Sequence, residues 1–127
     1  MGAAIPLKTT GDESKALPSI TPNPIESLSK TPTTEEVKKA VVFIANNMGL
    51  NADQFYRTIQ CESGFNYDPP RWNDAGLAYG VAQFHADTFY GNCKGDYYSA
   101  RDQIVCMATM WKEKIQWPWT CFTDLFR

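Results

Sequence analysis

The chain has 127 residues and a mass of 14.3 kDa, room for one ordinary domain and not two. Hydrophobic residues make up 43% and charged residues 20%, near the globular average, which excludes wholesale disorder. A net charge of −2 excludes a surface built to cover nucleic-acid phosphates, and the longest apolar run, Ala40 to Ala45, is far short of the roughly 20 residues that span a bilayer.

These averages hide a partition. All 17 aromatic residues lie at or beyond Phe43, all four Cys lie between Cys61 and Cys121, and five of the eight Pro lie in residues 1–33. Residues 1–33 are therefore read as an extended Pro/Ser/Thr-rich arm, and residues 34–127 as the folded domain. The arm balances Lys8, Lys15 and Lys30 against Asp12, Glu13 and Glu26. With no aromatics it cannot bury enough apolar area to offset its ordering entropy, so a linker or anchoring role is expected. It has no continuous apolar run of the signal-peptide kind. Pro6 stands where a myristoylation signal needs Ser or Thr. The expectation is a removed signal or export by another route.

In the domain, Thr33 and Glu36 have capping-box spacing. Val37, Ala40, Val41, Ile44 and Met48 follow as a one-sided apolar stripe, and Gly49 stops the helix. A second helix is predicted from Asn51, with Gln54 three residues on. Phe55, Ile59 and Glu62 fall on one face of it, and Gly64 follows at once. Residues 64–82 carry Pro69, Pro70, Asn73, Asp74, Gly76 and Gly80, which is turn chemistry suited to a small hairpin or a long loop. A short helix is predicted over Val81 to Phe89. A long one is predicted from Ser99 to about Ile115, with Ile104, Met107, Ala108, Trp111 and Ile115 as its stripe. Pro118 forbids its continuation. The expected class is α+β, predominantly α-helical.

Four Cys in a small domain point to two disulfides and an oxidising compartment. Three pairings are open. Cys93 and Cys106 flank a Gly-Asp loop and are the nearest pair, which would leave Cys61 for Cys121. The rival readings are four reduced buried Cys or a zinc site. The gaps of 32, 13 and 15 residues contain no C-x-x-C, and there is a single His, so no metal is expected.

Glu62 carries the chemistry. A carboxyl held against Phe55 and Ile59 loses solvation when ionised, so its pKa is expected to rise, which suits a general acid for a glycosidic oxygen. The competing reading is a helix-end Glu facing water. His85 has only Asp87 and Gln83 beside it and is read as structural or as part of a cleft rim. No G-x-x-x-x-G-K or G-x-G-x-x-G is present.

Glu62-Ser63-Gly64-Phe65-Asn66, followed by Gly80-Val81-Ala82-Gln83-Phe84, resembles the E-S-x-F-N … G-L-x-Q pattern of the lysozyme-like superfamily. Slt-type lytic transglycosylases and goose-type lysozymes are the members it is most similar to. The resemblance covers about residues 36–122. It implies a lysozyme-like fold with a hairpin or loop flanking a saccharide cleft. It implies Glu62 as the catalytic acid, Ser63 beside the acid and the sugar, and Tyr79, Gly80, Val81 and Gln83 lining the cleft. The family's later A-x-Y-N-A-G segment is absent. The Tyr97-Tyr98 pair and Trp119 are therefore the candidates to stack on sugar.

The resemblance implies cleavage of the β-1,4 bond between N-acetylmuramic acid and N-acetylglucosamine in peptidoglycan glycan strands, outside the cytoplasm and without a cofactor; the missing signal and the Pro-rich arm suggest, as an alternative, a domain anchored on a phage particle through residues 1–33. In a transglycosylase, one Glu suffices and the product ends in a 1,6-anhydro sugar. In a hydrolytic muramidase, a second acid or a positioned water is needed, and Asp74, then Asp68, is the candidate. A third reading is an inactive glycan-binding module or a structural component of a virion or secretion machine.

Overall fold

Side-chain caps decide where the long helices begin. The computed structural model describes residues 23–69 and 77–126. Helix α1, Thr34–Asn47, starts at Thr33, whose hydroxyl accepts from the Glu36 N–H while the Glu36 carboxylate accepts from the Thr33 N–H. Helix α2, Ala52–Ser63, starts at Asn51, whose side chain accepts from the Gln54 N–H at 3.0 Å. Each cap supplies a partner for an end-of-helix N–H that has none inside the helix. Gly64 closes α2 in the left-handed region at φ 63°, a conformation that costs glycine little.

Two strands follow, β1 at Ala78–Tyr79 and β2 at Phe84–His85, paired antiparallel with Ala78 opposite His85 and Tyr79 opposite Phe84. Residues 80–83 form the turn between them. Helix α3, Ala86–Asn92, comes next. The helix expected over Val81 to Phe89 is thus displaced. Gly80 at φ 86° and Gln83 at φ 53° are left-handed residues that an α-helix cannot hold, so this stretch reverses direction before the helix begins.

Helix α4, Ala100–Lys112, starts at Ser99, whose hydroxyl accepts from the Asp102 N–H. It ends before Ile115, because Lys114 turns left-handed at φ 67°, well ahead of Pro118. Helix α5, Thr120–Phe126, was not anticipated; it begins two residues beyond the proline that was expected to end helical structure.

The apolar stripes of α1, α2 and α4 meet, with α5 packed on α2. Val37, Val41, Phe55, Ile59, Ile104, Met107 and Trp111 are all buried, and the Phe55 and Trp111 rings meet edge-on at 5.2 Å. The core also reaches back before Thr33, to the buried Ile25 with Leu28 packed beside it. The result is a mainly helical fold with one small antiparallel sheet. Cys61–Cys121 and Cys93–Cys106 form the two disulfides, and they fit an oxidising environment. Among the described residues, no helix is long and apolar enough to cross a membrane.

Candidate functional site

Glu62 lies in the last turn of α2, one turn beyond the buried Thr58 and three residues beyond the buried Ile59. That placement leaves its side chain half-buried. The main-chain N–H of Cys121 donates to Glu62 Oε2 at 3.3 Å. The neighbouring Cys61 is bridged to the same Cys121, with Cα atoms 6.0 Å apart. The acid is therefore held by a covalent tie on one side and a hydrogen bond on its carboxylate. Ser63 is half-buried, and its hydroxyl donates to the Ile59 carbonyl at 3.4 Å.

The turn of residues 80–83 is held from within and from behind. Gly80 O accepts from the Gln83 main-chain N–H at 3.1 Å and from Gln83 Nε2 at 2.9 Å. Behind it stands Gln103 of α4, only 1% exposed. Its Oε1 accepts from the Ala82 N–H at 3.1 Å, and its Nε2 donates to the carbonyls of Tyr79 at 3.0 Å and Tyr97 at 2.8 Å. A Cβ at Gly80 would sit 2.4 Å from that amide, so only glycine lets turn and helix approach so closely. Gln103 is not among the residues expected from sequence, yet it carries the same signal as Glu62: a polar residue set within an apolar helical face, here between Ala100, Ile104 and Met107.

One short segment joins the two halves. Trp119 Nε1 donates to the Ala82 carbonyl at 2.8 Å, and Cys121, two residues on, donates to Glu62. Residues 119–121 thus bond to both the acid and the turn.

The expected contact residues divide. Tyr98 is 65% exposed, with its ring against Tyr79 at 5.1 Å and Tyr97 at 5.1 Å, and it has a face available. Tyr79 is half-buried beside it. Trp119 does not fit the stacking role. It is 1% exposed, its indole packed on Phe84 at 5.3 Å and Trp111 at 6.5 Å. Its position is explained by the core and by the bond to Ala82. Val81 is buried, so its side chain serves the core and only its main chain borders the turn. Tyr97 is buried as well, its hydroxyl donating to the Phe84 carbonyl.

Of the two candidate second acids, Asp74 lies outside the described residues. Asp68 is exposed, with its N–H donating to Asn66 Oδ1 at 2.9 Å. His85 is exposed in β2. Among the described residues, no cluster of His, Cys, Asp and Glu could hold a metal ion.

Comparison with protein-family models, with curated proteins and with solved structures finds no match.

Proposed function

We propose that this chain is a lysozyme-like lytic transglycosylase, which cleaves the β-1,4 bond between N-acetylmuramic acid and N-acetylglucosamine in peptidoglycan. The observation that carries the reading is the convergence of Glu62 and the 80–83 turn on residues 119–121. The two motif halves are far apart in sequence, and both bond to this one short segment.

In this reading Glu62 protonates the glycosidic oxygen as the C1–O4 bond breaks. It then takes the proton of the muramic C6 hydroxyl as O6 bonds to C1. The proton count closes on one carboxyl and no water is consumed. Ser63, Tyr79, Gly80 and Gln83 orient the glycan, and Tyr98 offers it an aromatic face. Val81 contributes through its backbone. The two disulfides favour action outside the cytoplasm.

The test is mass analysis of the products from purified peptidoglycan, with Glu62→Gln beside the parent. The expected products are one water lighter than reducing-end fragments, and they are missing with the variant. Reducing ends instead would establish a hydrolytic muramidase. Cleavage at the parental rate by Glu62→Gln would remove the acid from its role.

A further inference from the structure

Trp117 and Trp119 flank Pro118, yet they face opposite environments. Trp119 is buried, whereas Trp117 is 75% exposed, more than any other large hydrophobic side chain among the described residues. The backbone that carries the exposed indole is restricted. Pro118 restricts the backbone on both sides of the Trp117–Pro118 bond, and Trp119 anchors the segment to the Ala82 carbonyl.

Beside Trp117 lies a recess of about 120 Å³, lined by Gln83, Phe84, His85, Thr88, Trp117, Pro118 and Trp119. Among the described residues this lining contains no Asp, Glu, Lys or Arg, which suits a neutral ligand. Trp117 and the half-buried Pro118 supply its accessible apolar surface, while Phe84 and Trp119 are buried; Gln83, His85 and Thr88 supply polar atoms. Gln83 is held in a left-handed conformation and donates through Nε2 to Gly80. Its Oε1 accepts from nothing among the described residues, and it is a carbonyl acceptor for a ligand N–H.

We propose that Trp117 and this recess bind one N-acetylhexosamine unit of a glycan strand. The inference rests on the glycan-cleaving reading above. The pyranose face lies on the indole, the acetamido N–H donates to Gln83 Oε1, and the acetamido methyl enters the recess beside Pro118. This combination answers the accessible parts of the lining: a flat apolar platform for the C–H face, an acceptor for the amide, and the Pro118 ring for the methyl. Gln83 belongs to both the 80–83 turn and the recess, so the subsite continues the path of a strand lying across the turn.

The test uses the full chain carrying Glu62→Gln, so that ligand persists. Binding of chitotetraose and of cellotetraose, which lacks the acetamido groups, is followed through the Trp indole N–H resonances. Chitotetraose is expected to bind more tightly than cellotetraose. Adding Trp117→Ala is expected to weaken chitotetraose about tenfold, the change that about 1.4 kcal/mol produces, with Trp117→Phe recovering part of it. Thermal unfolding of both variants is expected to match the parent, since the side chain is exposed. If chitotetraose binds and Trp117→Ala leaves its affinity unchanged, this subsite is overturned while the glycan reading stands. Equal affinity for the two saccharides overturns the acetamido recess. If the parent cleaves no peptidoglycan and neither saccharide binds, the glycan reading falls and takes this inference with it.

Discussion

Cys121 donates its main-chain N–H to the Glu62 carboxylate at 3.3 Å, and its sulfur is bonded to Cys61, the residue before that acid. A hydrogen bond alone would let the end of a helix fray. A disulfide alone would fix the backbone and leave the carboxylate to choose among rotamers. Together they restrict both, which is what the proposed role of Glu62 as acid for one glycosidic oxygen would require.

The two disulfides therefore have different consequences when removed. The Cys61–Cys121 bridge closes an interval of 60 residues and the Cys93–Cys106 bridge one of 13. Loop-closure entropy makes the first worth about 4 kcal/mol and the second about 3 kcal/mol. Serine replacement of both partners, followed by denaturant unfolding, is expected to give losses in that order. Glycan cleavage, measured where both variants remain folded, should fall with the first pair and persist with the second. Equal activity losses would show that the bridge beside Glu62 acts only on stability.

Gly80 and Gly64 separate backbone strain from steric fit. Both are left-handed, at φ 86° and φ 63°. Alanine at Gly64 meets nothing within 4 Å, whereas at Gly80 its Cβ would lie 2.4 Å from the Gln103 amide. Gly64→Ala is expected to cost about 1 kcal/mol, the left-handed penalty alone. Gly80→Ala should cost at least about 2 kcal/mol more, because the displaced amide is buried and hydrogen-bonded. Similar midpoints for the two variants in urea would contradict the close packing of turn against helix.

What was legible in the sequence was local chemistry. Thr33 with Glu36, Asn51 with Gln54 and Ser99 with Asp102 each carry their partner three residues away, and each cap forms. The nearest Cys pair is bridged for the same reason: little chain lies between its members. The errors fell where distant residues decide. Val81 to Gln83 has helical composition but is turned by contacts with Gln103 and Trp119. Trp119 could have been a sugar platform or core, and only the placement of Phe84 and Trp111 makes it core. Helix α5 is only seven residues long; its stability comes from packing on α2 and the bridge to Cys61, neither of which is a local signal.

Gln103 makes the second motif dependent on α4. Its amide satisfies the Ala82 N–H and the Tyr79 and Tyr97 carbonyls. Gln103→Met keeps the volume but leaves these three groups without that partner. At about 1–3 kcal/mol for a buried polar group stranded, counted for the buried Ala82 N–H, a loss of about 1 kcal/mol or more is expected in denaturant unfolding. If Tyr79 and Gly80 orient the glycan, KM for glycan fragments should also rise at temperatures where the variant is folded. A stability loss under about 1 kcal/mol would mean the turn holds itself together.

Thr58 offers a change of the opposite sign. It is fully buried one turn before Glu62, and its hydroxyl has no hydrogen-bond partner among the described residues. Threonine in a helix ordinarily returns its hydroxyl to a carbonyl in the preceding turn; here the buried group carries a desolvation cost that no partner among the described residues offsets. Thr58→Val keeps the branched shape and removes that cost, so a gain of about 1 kcal/mol is expected in thermal or denaturant unfolding. A polar group kept at such a cost in the helix that carries the acid is the kind of exception found where function opposes stability. The variant's rate on peptidoglycan decides between the two readings of it. A more stable and equally active Thr58→Val would make the hydroxyl incidental, and a more stable but slower one would tie it to Glu62. A loss of stability would show that the hydroxyl is satisfied after all.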